Sequence, residues 1–503
     1  MSDKTTAESL GPDPLRTSAE PPARTLTSAG GPELVIGLVT PIGTNTSSVA
    51  ERIRTALAKW NYRSHTVRIS EYFDAIHGGA PPGEFEDERV GRLIGVGNDW
   101  CQRHNDAAAC AYLAVLQIRV ARKALNRARG LSGTEAELLS TPVPRQAYVI
   151  HSLKRVAEVQ VLSQLYGTQF LLVGCQAKFE DRLETIASRA LSVSDEDSKR
   201  AVARALIDLD GSENNPMGQK VNETFPQSDY FLGVNESAER FVDLVFGDPR
   251  RPPTSGELAM YLAQATSVQS LSASRRVGAA LVAENDVIAV GCNDVPPGEE
   301  PDVLVGKDTS EQFKRDLLQD TLRRLRDGNW LAPDKAALAL TVLVDEALEL
   351  LENSQLMSVI EYQRPVHAEV AAISNAARRG QRVSGTALYC TTFPCHLCFK
   401  ALLAAGVETV YYIHPYPKSR AQEMYPHSRQ RLTPYEGIAP SSYMSLFEER
   451  PVLKADEAGV YPTVNYEIWQ PIISPDRTPE EIAADEANRI ARLKLDGEHQ
   501  DDR

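Results

Sequence analysis

Residues 365–419 constrain this chain more than any other stretch, because a histidine, a glutamate and two cysteines recur there at metal-site spacings. His367-Ala368-Glu369 is followed, after the 24 residues 370–393, by Pro394-Cys395-His396-Leu397-Cys398. One neutral imidazole and two thiolates give zinc three protein ligands and leave a fourth position for water. Cys395 and Cys398 are three apart, so a helix puts them on one face. A helix beginning at Pro394 suits proline's missing N–H, and its N-terminal dipole favours thiolates. Glu369, two residues from His367, need not be a ligand and is positioned to carry protons. The competing reading is a closed structural site with His396 or Cys390 as fourth ligand. Yet Cys390 falls in the apolar run Ala387-Leu388-Tyr389-Cys390, which reads as a buried strand. His396 lies between the two cysteines, where reaching the same metal is difficult. The catalytic reading is the stronger.

At 503 residues the chain exceeds one typical domain, and length suggests about three. A formal net charge of −14 argues against a broad surface for gripping nucleic-acid backbone. Seven cysteines, two of them in the metal motif, suit a reducing cytoplasm. No apolar run approaches the roughly 20 residues that span a bilayer, and the N-terminus lacks a signal-peptide layout. The expectation is a cytoplasmic protein with no membrane contact.

Residues 1–32, rich in Ser, Thr, Pro, Ala and Gly, read as a disordered leader. An apolar strand over 33–40 then passes through a Gly-containing loop into a helix over 49–59, the layout that cradles phosphate at a helix N-terminus. Against the pattern G-x-x-x-x-G-K-[ST], Gly43 is the second glycine, while Leu38 replaces the first and Thr44 the lysine. Gly37 offers a glycine one residue early. Gly37, Gly43, Thr44 and Asn45 are therefore candidates for nucleotide binding through loop amides, without phosphoryl transfer. Strands expected at 66–69, 146–150, 170–173 and 230–234 alternate with helices at 105–127, 153–166, 178–190, 198–209 and 237–246. That alternation predicts an α/β domain over 33–248 with a doubly wound parallel sheet. Residues 80–92 read as polar loop, and the arginines of 119–129 as a solvated helix face.

A proline-rich joint at 248–253 marks the boundary to a second domain over 249–470. A helix over 255–265 with Ser255 as cap precedes strands at 275–282 and 287–291, joined by the turn Glu284-Asn285-Asp286. Asn293 follows the second strand, either as a turn residue or as an amide for a sugar hydroxyl. A helical insert over 299–360 carries amphipathic segments at 311–327 and 333–351, suited to packing on the core or on a second subunit. A strand at 407–413 leads into a rigid loop, Pro415-Tyr416-Pro417-Lys418-Ser419. Residues 471–503 read as a charged, helix-prone, exposed tail.

H-x-E…P-C-x-x-C is the pattern of zinc-dependent nucleobase deaminases. Two further stretches join it: Arg276-Val277-Gly278-Ala279, and Tyr412-Ile413-His414-Pro415-Tyr416-Pro417-Lys418-Ser419. On these residues the C-terminal half resembles the cytidine and deoxycytidylate deaminase superfamily. The layout with a degenerate phosphate loop resembles the bacterial anti-phage deoxycytidine-nucleotide deaminases. The resemblance implies a C-terminal α/β/α deaminase-like domain behind an N-terminal domain like a P-loop nucleotide kinase. It implies one Zn2+ per chain on His367, Cys395 and Cys398, Glu369 as proton shuttle, and Asn293 against the nucleotide sugar. The implied reaction takes dCTP or dCMP to dUTP or dUMP, depleting the deoxycytidine pool as antiviral defence. Arg275, Arg276 and Lys418 are candidate phosphate contacts. His414 stands where an acidic residue is expected in this loop. Homo-oligomerisation follows from the same resemblance, with an NTP or a regulatory RNA as the expected ligand of the N-terminal domain. Two alternatives stand beside this reading. Deamination of a base within RNA or DNA would want a basic, aromatic-lined channel, which the acidic balance does not favour. A sensor whose N-terminal domain binds nucleotide or RNA would use the deaminase only as output, and Glu369→Ala separates that case.

Overall fold

The computed structural model describes residues 30–493 apart from 77–80, 214, 234–236, 273–274, 352–353, 355–356, 358–362, 417, 449–453, 456–458, 462, 465, 467–468 and 473–474. The expected leader, through residue 29, and the tail beyond residue 493 lie outside the described residues. So does Pro417 of the expected rigid loop.

Two sheets organise the chain. The first contains β1 (Leu34–Val39), β2 (Arg63–Arg68), β3 (Gln146–Leu153), β4 (Phe170–Gln176) and β5 (Tyr230–Gly233), in the order β5-β4-β1-β3-β2. These five run parallel. β1 and β4 are buried at every position, as unbroken apolar runs must be when helices cover both faces. Gly37 sits inside β1, where a Cβ would come within 2.7 Å of Leu153 Cδ1 and 3.0 Å of Phe170. Its bareness therefore serves packing. The helix after the loop spans Thr46–Lys59 and is capped by Asn45, whose Oδ1 accepts the Ser48 N–H at 3.1 Å.

Between β2 and β3 the helix expected at 105–127 is Ala109–Ala128, and a helix that was not expected, Glu86–His104, precedes it. Asn105 ends the first in a left-handed conformation, φ 48°. Asp106 then accepts the Ala108 N–H and the Tyr112 hydroxyl, both at 2.8 Å, and so turns the chain. The polar reading of 80–92 misses the first helix because its apolar stripe, Val90, Leu93 and Ile94, straddles the end of that window. The arginine face also needs correction. Arg127 and Arg129 are exposed, but Arg122 is buried at 2% exposure between two carboxylates. Its Nη2 lies 2.9 Å from Glu33 Oε2 and its Nη1 2.8 Å from Glu486 Oε2. Glu486 belongs to the helix Pro479–Ile490, which buries Ile482 and Glu486, so this part of the tail is docked and not exposed.

The second sheet holds β6 (Gly278–Ala283), β7 (Asp286–Cys292), β8 (Ala387–Thr392), β9 (Thr409–His414) and β10 (Leu432–Pro434), in the order β10-β9-β8-β6-β7. β6 and β7 form a hairpin whose turn residues Glu284 and Asn285 take φ 51° and 71°, the signature of a two-residue turn that matches strand twist. The side chains of β6 alternate. Ala280 and Val282 share a core with Ala259, Met260 and Ala263 of the helix Ser255–Ser267. Ala279 and Leu281 share another with Ala368, Ala372 and Phe399, on the helices Ala368–Arg378 and His396–Ala405. The result is an α/β/α sandwich with the metal motif on one face. Gly291 lets the Ala368–Arg378 helix approach, since a Cβ there would lie 2.4 Å from Ala372 N.

The two halves share structure. β11 (Gly437–Ile438) pairs antiparallel with β5 and completes the first sheet from within the expected second domain. Past the proline-rich joint the helix cap is Thr254, not Ser255. Thr254 and Glu257 exchange hydrogen bonds of 2.8 and 3.1 Å, and Glu257 also pairs with Arg240 of the first half. The insert forms helices Thr309–Asp327, Pro333–Ala336 and Leu340–Leu351, so the expected helix over 333–351 is broken. Leu318, Leu322, Leu343 and Val344 make their own small core. Among the described residues no helix is long and apolar enough to cross a membrane.

Candidate metal centre and active site

His367 caps the N-terminus of the Ala368–Arg378 helix, and Cys395 caps that of His396–Ala405. The second helix thus begins two residues later than expected, at His396. Cys395 Sγ accepts the Cys398 N–H at 3.3 Å, so its side chain is fixed at the positive end of the helix. His367 Nδ1 lies 3.4 Å from Cys395 Sγ and 3.2 Å from Cys398 Sγ. Tetrahedral zinc with its ordinary Zn–N and Zn–S bonds would set such N···S separations at about 3.5 Å. The donor set therefore fits Zn2+. Cys390 and His396 stand outside this cluster. With Nδ1 turned to the sulfurs, His367 Nε2 carries the proton and donates to Gln363 Oε1 at 2.7 Å. Such a partner behind a ligating histidine fixes tautomer and ring orientation.

The electrostatics agree with this arrangement. Hydrogen bonding from Cys398, then from His367, holds the Cys395 thiol down to about 4. The hydrogen bond to Cys395, reinforced by burial, leaves the pair's remaining proton on Cys398 and raises it. Glu369 is 4% exposed, and burial, then the neighbouring Cys395 charge, lifts its carboxyl above the ordinary range. It is a buried carboxyl beside the metal donor set without belonging to it.

His367, Glu369 and Cys395 open into a cavity of about 480 Å³. Of the candidate substrate contacts, Arg275, Asn293 and Lys418 line it and Arg276 does not. The Asn293 amide has a structural task. Its Oδ1 accepts the Val277 N–H at 2.7 Å and its Nδ2 donates to Arg275 O at 2.8 Å, so it shapes the wall carrying Arg275. Thr392, Tyr416 and Lys314 also line the cavity and were not anticipated as contacts. Thr392 Oγ1 is buried with no hydrogen-bond partner among the described residues. Lys314 arrives on the insert helix, whose sequence shows only amphipathic spacing. His414 is neutral, driven by burial and by Arg275 down to about 4.

The N-terminal candidates belong elsewhere. Gly43 takes φ 86°, and a Cβ there would meet Arg182 O at 2.7 Å. Asn45 is a helix cap, Gly37 a packing position, and Thr44 is buried. None lines the metal cavity. The loop already holds an anion of its own: Asp210 Oδ2 accepts the Ile42 N–H at 2.8 Å, and its Oδ1 accepts Lys154 Nζ at 2.7 Å.

Comparisons with known proteins match part of the chain. Residues 254–414 match the family described as the cytidine and deoxycytidylate deaminase zinc-binding region. ComE operon protein 2 of Bacillus subtilis is 31% identical over 115 residues, 22% of this chain and 59% of that protein's length. The deoxycytidylate deaminase of Enterobacteria phage T2 is 26% identical over 161 residues, 32% of this chain and 80% of the phage protein. The crystal structure of dCMP deaminase from the cyanophage S-TIM5 aligns with 36% of this chain and 96% of its own, at 19% identity and a TM-score of 0.22. Residues 254–414, which hold the His367/Cys395/Cys398 donor set, thus match the zinc-binding region of the cytidine and deoxycytidylate deaminases.

Proposed function

We propose that this protein hydrolytically deaminates free deoxycytidine nucleotides, dCTP or dCMP, to the deoxyuridine nucleotides. The observation that carries the reading is the buried Glu369 carboxyl beside the His367/Cys395/Cys398 set in a cavity of about 480 Å³. That volume suits a small ligand, for which pockets run roughly 300–1,000 Å³. Zinc, when bound, supplies Lewis acidity that lowers the pKa of its water towards about 7. Glu369 takes a proton as the water oxygen bonds to C4 of cytosine and delivers it to ring N3. It then carries the second water proton to the 4-amino group; the C4–N bond breaks, ammonia leaves, and C4 keeps the oxygen as a carbonyl.

Arg275, Lys418 and Lys314 offer cationic groups around the cavity for a phosphate chain. The net charge of −14 disfavours a polynucleotide substrate. The phage relative, itself named a deoxycytidylate deaminase, supports the nucleotide class. In cells the reaction would drain the deoxycytidine nucleotide pool in the cytoplasm, a route to antiviral defence, with the protein acting as a homo-oligomer.

The test is ammonia release by the zinc-loaded protein from dCMP, dCTP, CTP and cytidine-containing oligonucleotides in parallel. Release from dCMP or dCTP is expected, with Glu369→Ala at least about 100-fold slower at unchanged zinc content. Release from oligonucleotides alone would overturn the reading. Chelation should abolish turnover, and added Zn2+ should restore it.

A further inference from the structure

Against the phosphate-loop turn at Ile42 lies a separate cavity of about 230 Å³ that shares no lining residue with the metal cavity. Its walls are partly apolar, with Ile69, Phe73, Leu93 and Ile94 among them, and its charged lining is paired, Arg155 with Glu158 at 2.9 Å and Lys154 with Asp210 at 2.7 Å. Its polar part is incomplete. His151 Nε2, Ser152 Oγ and Gln219 Oε1 all line it, all are buried, and none has a hydrogen-bond partner among the described residues. Gln219 is only 8% exposed, so bulk water does not serve its carbonyl. Unpaired buried polar atoms cost about 1–3 kcal/mol each, and three converging on one cavity call for an occupant. The position points the same way. His151 and Ser152 lie near the carboxyl end of β3, next to β1, where the strand order of the parallel sheet reverses. Open α/β sheets take their ligands in that crevice.

The charges narrow the ligand class. Lys154 is paired with Asp210 and also donates to Thr40 O at 2.7 Å. Asp210, 2% exposed, lines the cavity and already receives the Ile42 N–H. A phosphate entering here would face that carboxylate, and the lysine beside it is neutralised. His151 contributes no charge at neutral pH, since burial, with Arg68 and Lys154 nearby, holds it down to about 4. The volume is below the range of about 300–1,000 Å³ typical of drug-sized ligands, too little for a triphosphate. What remains is a flat, uncharged, partly apolar body with hydrogen-bonding groups along one edge.

We propose that this cavity binds an uncharged nucleobase, presented as a nucleoside, distinct from the nucleotide at the metal centre. The ring lies among Phe73 and the aliphatic walls, with an N–H donating to Gln219 Oε1 and further edge groups meeting His151 Nε2 and Ser152 Oγ. The inference does not depend on the deaminase reading. It makes the N-terminal half a nucleoside-binding module whose phosphate loop is filled by its own aspartate.

The experiment is calorimetric titration of the full-length, zinc-loaded protein with thymidine, deoxyuridine, deoxyadenosine and deoxyguanosine, alongside thermal melts. At least one nucleoside should bind at one site per chain and raise the melting temperature. Gln219→Leu and Ser152→Ala should each weaken that binding about tenfold, with melts without ligand confirming that both variants fold. Asn293→Ala, in the wall of the metal cavity, should leave it unchanged. Absence of binding by all four nucleosides would mean that water alone fills the cavity, and would overturn the proposal. So would affinity untouched by both cavity variants, or affinity lost in Asn293→Ala. Tighter binding of the 5′-monophosphates than of the nucleosides would overturn the uncharged class.

Discussion

Gln363 holds the metal centre from behind, through the proton on His367 Nε2 at 2.7 Å. Partners of this kind typically contribute 10–100-fold in metal affinity. Gln363→Leu should therefore lower zinc affinity about 10–100-fold in competition with a chelator, while Gln363→Glu, which keeps an acceptor, should recover most of it. Asn293 acts on the same cavity by a different route, since its amide satisfies the Val277 N–H and the Arg275 carbonyl. Asn293→Ala should cost about 1–3 kcal/mol in urea denaturation and raise KM more than it lowers kcat, because Arg275 loses its anchored backbone. The ligands and Glu369 were legible because each sits at a helix start, where sequence spacing fixes spatial spacing. Gln363 and Lys314 were not. One follows the insert and the other rides on it, and the fold that returns them to the cavity leaves no period in the sequence.

The helix Ser255–Ser267 depends on one glutamate with three partners. Glu257, 1% exposed, closes the capping box with Thr254, pairs with Arg240, and accepts the Ile438 N–H at 3.4 Å. Removing one partner of a buried pair costs about 3–5 kcal/mol, so Glu257→Ala should lower the urea midpoint far more than Thr254→Ala, which costs about 1 kcal/mol. Thr254→Ser should be nearly silent. Alternation of apolar runs and helical spacing was enough to read most elements of both halves. It failed at a turn made by a side chain, at Asp106, so the helix expected from residue 105 begins only at Ala109, and the helix Glu86–His104 before the turn was missed. It failed again at Arg122, because the carboxylates that bury it come from residues 33 and 486. A local window sees only an arginine on a helix.

Across the whole molecule, two histidines report on acid stability. His151 in the first half and His414 in the second are each driven by burial from 6.5 to about 4. Below pH 6.5 the unfolded chain binds protons that the folded chain refuses, so stability rises with pH through this window. The melting temperature should hold above pH 6.5, fall as pH drops from 6.5 towards about 4, and fall less steeply in His151→Asn/His414→Asn. A slope unchanged by the double variant would assign the acid response to other groups. The short strand β11 bears on how such a chain is made. An unpaired sheet edge is an aggregation hazard, and β5 waits for residues 437–438 to cover its own. About 200 residues separate the two strands, some 10–40 s of synthesis at roughly 5–20 residues per second. During that interval the nascent first half exposes a ready template for any extended chain. The second half, arriving last, is what makes the first half safe to release.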